Sequence, residues 1–400
     1  MINLKEAFKS AKTPAEVRMA GTRIKEHIKA GKIKASEISL KNLAEATLGY
    51  EGLSALGSMG DVGEGQMLEG LKEAVDPVNL SAFTSITGEL VINQGYEAYR
   101  QPEFIGDSLV TAESSREDKT REAGLSPIDD DVLIVKEGAE YPDTKFGEDY
   151  IDVPSSEKRG LKIGLTREMI FFDRTGKLVE MAQQIGEVLG RNKERRILQV
   201  VLGITNTFVR KGVARNTYVA SADPRINLLP STALVDWTTL DSVYQLFQNM
   251  GDDKVVADPI SVVPNAILCC PVKEWSFNRI LNATEVEHAA SGITTKSKNP
   301  LSSKGIKLHS NIWVYNMLTT ATTAKVAGAG LSATNAGGTF LIGDFKRAFR
   351  YRTLFPFALE SANHDKDAFE RDVLMQWRVS ERGVPYVYAP WYVAKVQPQA

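Results

Sequence analysis

The stretch EGAEYPDTKFGEDYIDVPSSEKRG, Glu137 to Gly160, decides how this chain is read. It is polar, holds two prolines, and lies between two strand-like runs, VLIVK (Val132 to Lys136) and LKIGLT (Leu161 to Thr166). A hairpin closes with about two to five loop residues, and a connection beyond roughly a dozen is uncommon unless it is functional or disordered. Ordering each backbone residue costs roughly 1 to 2 kcal/mol, and so polar a segment buries too little of itself to offset that alone. A second chain is therefore expected to hold it. Tyr141, Phe146, Tyr150 and Ile151 offer apolar contacts along it, and Glu137, Glu140, Asp143, Glu148, Asp149 and Asp152 offer negative charge. Basic counterparts on a neighbour are expected at Arg191, Lys193, Arg195 and Arg196, or at Lys346, Arg347, Arg350 and Arg352. Lys145, near the tip, reads as a solvated charge.

Downstream, DRTGKLVEMAQQIGEVLGRNKERRILQVVLG (Asp173 to Gly203) is the clearest helix in the sequence. Leu178, Met181, Ala182, Ile185, Val188 and Leu189 recur at helical steps, Asp173 or Thr175 supplies an N-cap, and Gly203 marks the stop. The region from about Asn227 to Thr339 alternates helix and strand signals and reads as an α/β unit: helix TLDSVYQLFQNM, strand AILCCP, helix VKEWSFNRIL, strand IKLHSNIWVY, then a loop of small residues, GAGLSATNAGG. From Phe340 the chain reads mostly as strands, with SERG (Ser380 to Gly383) as a turn.

Upstream, residues 1 to 48 read as amphipathic helices broken at Pro14 and Gly31, and residues 49 to 66 form a Gly-rich linker. Its glycines do not form a phosphate loop, because no strand precedes them and no Gly-Lys-Ser/Thr closes them. Ser114 to Gly124 reads as an exposed charged excursion.

Composition excludes several classes. With 43% hydrophobic and 24% charged residues, the 400-residue chain is ordinary globular protein of two or three domains. No apolar run approaches the roughly 20 residues of a membrane-spanning helix, and MINLKEAFKSAK lacks the apolar core of a secretory signal, so folding in a cytoplasm is expected. The net charge is −2, unevenly spread: residues 1–50 carry ten basic against five acidic side chains, residues 51–150 seven against twenty-two, and residues 301–350 six against one. Such asymmetry suits oppositely charged parts of neighbouring copies, although solvated faces also produce it.

The catalytic inventory is thin. Cys269 and Cys270, the only cysteines, lie in an apolar run and read as buried core residues; His288 or His309 would have to serve as base if either were a nucleophile. Asp129, Asp130 and Asp131 match no calcium-loop spacing. The four histidines form no ligand set. No catalytic residue, cofactor or metal is expected.

The order VKEGAEYP, RGLKIGLTREMIFFDRTG, a long helix, then GDFKRAFRYRTLFP, FERDVLMQWRVSERG and PWYVAK resembles the major capsid proteins of tailed bacteriophages with the HK97-type fold, and EGAEY with LTREMIFFD looks closest to the Mu-like major head subunits. The resemblance covers about Leu80 to Lys395. It implies an α+β fold with an N-terminal arm (1–79), a first part of a peripheral P-domain (80–131), an extended E-loop hairpin (132–166), the P-domain with its spine helix (167–226), an axial A-domain (227–339) and P-domain return strands (340–400). It implies a structural subunit, not an enzyme, that joins copies of itself into hexamers and pentamers. The implied partners are a portal protein, with scaffold, maturation protease or decoration proteins, and packaged double-stranded DNA as a non-specific lining contact; no membrane is implied. The place is the virion capsid, assembled in the bacterial host cytoplasm. The alternatives are an encapsulin-like compartment shell and, from another class, a soluble α/β metabolic enzyme.

Overall fold

The computed structural model describes residues 14–30, 42–45, 47, 77–101, 103–123, 135, 137, 140, 150–166, 168–169, 172, 175–221, 225–250, 260–290, 293–302, 304–323, 327–362 and 373–398. The Gly-rich stretch, the three consecutive aspartates, strand VLIVK except Val135, and the centre of the quoted segment lie outside them. Helices are α1 (Pro14–Lys29), α2 (Pro77–Tyr99), α3 (Gly106–Leu109), α4 (Thr175–Val201), α5 (Trp237–Gln248), α6 (Pro271–Asn282), α7 (Ile312–Thr319), α8 (Ala333–Gly338) and α9 (Phe345–Ala348). The first strands are β1 (Thr111–Ser114), β2 (Arg121–Ala123), β3 (Tyr150–Asp152), β4 (Glu157–Thr166), β5 (Thr207–Arg210), β6 (Val213–Asn216) and β7 (Leu228–Leu229). They are followed by β8 (Ala266–Cys269), β9 (Glu285–Ala290), β10 (Ile293–Lys298), β11 (Lys307–Ser310), β12 (Phe340–Gly343), β13 (Phe349–Ala362), β14 (Val373–Val387) and β15 (Val393–Val396).

The chain divides into two units, one of Met1–Pro102, Lys158–Asn192 and Phe355–Arg382, the other of Glu103–Glu157, Lys193–Leu354 and Gly383–Ala400. In the first, α1 packs on α2, and Ile24 and Ile28 of α1 and Ile86 and Leu90 of α2 are all buried. The N-terminal part of α4 buries Leu178, Ala182 and Leu189, as its periodicity demands, while Val188 falls off the stripe and is 48% exposed. Phe357 stacks against Tyr99 with ring centres 4.9 Å apart, and the Tyr99 hydroxyl donates to Glu381 at 2.6 Å.

The second unit is built on a five-stranded sheet of order β11-β8-β12-β15-β7 and a four-stranded antiparallel sheet of order β2-β3-β5-β6. Strands β8, β12 and β15 are buried at every position, the pattern of central strands covered on both faces. The last turn of α4 closes with the Gly203 N–H on the Val200 carbonyl (3.1 Å) and the Ile204 N–H on the Gln199 carbonyl (3.1 Å), a Schellman cap. Gly203 has φ +62°, and a Cβ there would lie 2.5 Å from the Tyr218 ring, so both backbone and packing require glycine.

Several expectations are corrected. The strand IKLHSNIWVY is β11 followed by helix α7: the Asn311 side chain accepts the Trp313 N–H at 2.9 Å and caps a helix where β-branched and aromatic residues suggested a strand. GAGLSATNAGG is not all loop, since Ser332 caps α8. SERG is no turn; β14 runs through it, and Gly383 is needed because a Cβ would lie 2.9 Å from the Arg352 carbonyl oxygen. The break expected at residue 340 also fails. β12 pairs with β8, Phe340 opposite Cys269, and with β15, Phe340 opposite Val396, so these tail strands complete the α/β sheet.

Candidate subunit-contact site

Residues 124–149 are flanked by β2 and β3, which pair antiparallel with Arg121 opposite Asp152 and Ala123 opposite Tyr150. The hairpin expected from Val132 to Thr166 therefore has a different root. Leu161–Thr166 belongs to β4, which lies beside β14, and Tyr150–Asp152 is a strand inside the quoted segment. The reason is the alternation around Ile151: this residue and Val153 are buried against Tyr386, Tyr388 and Trp391 in a core cluster. β3 also pairs with β5, so the root is the edge of a sheet rather than an isolated ribbon.

Short-range polar contacts fix this root. The Arg121 guanidinium is 3.4 Å from the Asp152 carboxylate and its carbon sits 4.6 Å over the Tyr150 ring. The Val153 N–H donates to the Thr120 carbonyl at 3.1 Å, and Asp118 accepts from both the Ser156 N–H (2.9 Å) and hydroxyl (2.6 Å).

Beneath the root lies an ionic cluster. The Arg350 guanidinium donates to Glu113 at 2.5 Å and Glu122 at 3.0 Å, and Arg352 donates to Glu122. The Tyr386 hydroxyl reaches Glu113 at 2.8 Å and Glu122 at 2.6 Å, while the Arg350 carbon lies 3.5 Å over the Tyr388 ring. Burial alone would lower the Arg350 pKa; Glu113, with Tyr388 and Tyr386, outweighs it, and the guanidinium is held charged more firmly than usual. Burial, then hydrogen bonding to the two carboxylates, pushes the Tyr386 phenol well above its ordinary range. Two carboxylates and two guanidiniums at hydrogen-bond distance cancel charge locally, so the cluster clamps β2 to β1, β13 and β14.

This accounts for where the anticipated residues stand. Arg350 and Arg352 do meet acids, but Glu113 and Glu122 of the same chain. Lys193 is 2.7 Å from Asp107, Arg191 is 4.0 Å from Glu187, Arg347 is 3.3 Å from Asp344, and Arg196 donates to the Gly383 carbonyl at 2.7 Å. Arg195 lies 5.0 Å over the Trp313 ring, and Lys346 is exposed. Of the arm residues, Glu137 and Glu140 are exposed and Tyr150 is half-buried. Tyr141, Asp143, Lys145, Phe146, Glu148 and Asp149 lie outside the described residues. Glu113, Glu122, Tyr386 and Tyr388 were missed; their one sequence signal is that Tyr386 and Tyr388, two apart on a strand, share a face.

The cysteines are core residues. Cys269 and Cys270 fall in opposite core clusters, the Cys270 thiol donates to the Ala336 carbonyl at 3.1 Å, and burial pushes both thiols up to about 12. No group of His, Cys, Asp and Glu among the described residues is placed to hold a metal.

The sequence pattern of a family described as phage capsid protein matches residues 152–396, from β3 through β15. The chain belongs to that family. It is thus a structural protein of a phage capsid, not an enzyme, and its first partner is further copies of itself. No curated protein matches the chain by sequence. Among solved structures, the capsid of Cyanophage P-SCSP1u overlaps it with a TM-score of 0.43 at 12% identity, covering 72% of this chain and 86% of that one. A structure from Mycobacterium phage Ogopogo gives 0.41 at 17% identity over 74% and 92%. An encapsulin complex from Synechococcus elongatus PCC 7942 gives 0.39 at 12% identity over 75% and 88%. The family match, not these loose overlaps, carries the assignment to the capsid proteins.

Proposed function

We propose that this capsid protein is the major subunit of an HK97-type icosahedral shell, built from hexamers and pentamers, that encloses the double-stranded DNA of a tailed phage or prophage, with the Mu-like head subunits as its nearest kind. The observation that carries the reading is the position of the acidic segment 124–149 between β2, clamped by the Glu113–Glu122–Arg350–Arg352 cluster, and β3, which pairs with β2 and β5. A stiff root under a polar segment suits an arm held by another copy. Shells are closed, symmetric assemblies in which weak contacts gain weight by repetition. Portal and scaffold complete the assembly in the host cytoplasm, and the net charge of −2 leaves DNA a lining contact rather than a strong ligand.

A chain lacking Asp143 to Asp149 tests this. It is expected to retain its circular dichroism yet give no particles, or fragile ones, in electron micrographs. Normal heat-stable shells from that deletion would contradict the role of the arm, and small empty cages formed by the intact chain alone would favour a compartment shell instead.

A further inference from the structure

Strands β9 and β10 form a two-stranded antiparallel ribbon that no other strand joins among the described residues. Such a ribbon is marginal in water by itself, and its outer edges keep main-chain donors and acceptors that another strand can pair. The Trp237 indole N–H reaches the Glu287 carbonyl at 3.4 Å, which ties β9 to the start of α5 and engages one acceptor of that strand. Charge on the ribbon is sorted by strand. Glu285 and Glu287 lie on β9, Lys296 and Lys298 on β10, with Lys296 opposite Glu287 and Lys298 opposite Glu285. Opposite residues share a face, and so do residues two apart, so these side chains project together. They are exposed, whereas Val286, on the other face, is buried. The Lys296 ammonium is 3.2 Å from the Glu287 carboxylate, yet the two side chains remain 66% and 62% exposed. The outward face therefore has one acidic edge and one basic edge.

We propose that β10 of one copy lies alongside β9 of the next, lysines against glutamates, so that the ribbon continues from copy to copy. The occupant is a second copy of this chain because each edge finds its complement in charge on the chain itself. A two-fold contact would set β9 against β9 or β10 against β10, and like charges facing one another across strands repel. The contact is therefore head-to-tail, the kind that closes into a ring when the rotation permits. Rotation about an axis along the strands keeps each new pair antiparallel, as β9 and β10 already are. Each exposed ion pair is weak, and its weight comes from repetition around the ring. This contact rests on the reading of the chain as a shell subunit and is separate from the arm.

The test mixes differently tagged full-length chains during particle assembly. A fully exchanged chain, with Glu285→Lys, Glu287→Lys, Lys296→Glu and Lys298→Glu, keeps attraction within its own ribbon and between its own copies. It is expected to retain its circular dichroism and to form particles alone. Beside a wild-type copy it sets lysine on lysine or glutamate on glutamate. Its share in particles captured by the wild-type tag is expected to fall roughly fivefold below that of wild type carrying the second tag, the factor that about 1 kcal/mol gives. Two half-exchanged chains, Glu285→Lys with Glu287→Lys and Lys296→Glu with Lys298→Glu, are expected to assemble poorly alone and better when mixed. That rescue does not depend on how the fully exchanged chain folds. Free mixing of the fully exchanged chain with wild type, or half-exchanged chains that gain nothing together, overturns this contact and leaves the shell reading standing. Absence of particles from the wild type itself overturns both.

Discussion

Gly186 on α4 faces Gly95 on α2 so closely that a Cβ at position 186 would lie 2.1 Å from the Gly95 carbonyl oxygen and 3.0 Å from the Ala98 Cβ. The two helices meet backbone to backbone, and the obstructing atom is main chain, which cannot swing aside. Gly186→Ala is expected to destabilise the first unit by about 2–4 kcal/mol through overpacking, read as a lower urea midpoint at unchanged slope. Gly176→Ala, where no atom lies within 4 Å of the added methyl group, serves as control and should be neutral or slightly stabilising.

Breaking the ionic cluster under the arm should be costly. Glu122→Gln leaves Arg352, whose side chain is 7% exposed, without its charge partner. A loss of about 2–3 kcal/mol is expected, below the full value for a buried pair because the Glu122 side chain keeps 21% of its exposure. Chemical denaturation of dissociated subunits measures it.

Glu194 brings a pH dependence. It is 2% exposed and accepts the Ile105 N–H at 3.1 Å and the Gly106 N–H at 2.7 Å, with the Asn311 amide at 3.4 Å. Burial, opposed by those backbone hydrogen bonds, raises its pKa from 4.5 to about 7. The folded state then binds this proton more tightly than the unfolded chain, so Glu194 favours folding below pH 4.5 and that contribution is lost as pH rises to about 7. The swing is about 3 kcal/mol at most. Glu194→Gln should abolish this component, which makes the difference in melting temperature between wild type and variant depend on pH across that window; a constant difference would show that Glu194 stays ionised.

Both thiols should resist alkylation at pH 8 in the native protein, because they are fully buried and their pKa lies near 12. Ellman's reagent should count two thiols only after denaturation. Prompt native labelling would mean that β8 opens readily.

Local signals were legible where one element supplied them. Helix α4 could be read because apolar residues recur on one face and Gly203 ends it; α6 was read from Val272, whereas it starts at Pro271. Helix α7 was misread because Ile312, Trp313, Val314 and Tyr315 favour strands, and only the hydrogen bond from Asn311 shows which tendency wins. What sequence concealed was partnership. Nothing in the run FLIG says that β12 pairs with β8, and nothing in REDKTREA distinguishes Glu122, held by two arginines, from its solvated neighbours. The contacts joining Glu122 to Arg350, Arg352 and Tyr386 span more than two hundred residues of chain, and no local pattern carries them. Charge alone marks the basic residues expected to meet an arm, and their own chain already occupies most of them.

The orientation of β2 and β3 has a mechanical corollary. Both strands run into the same intervening segment, so a pull on that segment along the strand axis loads the β3–β5 hydrogen bonds, which lie crosswise to it, together in shear instead of peeling them one by one. Such a joint tolerates traction and yields to sideways prying, as a lap seam does under internal pressure.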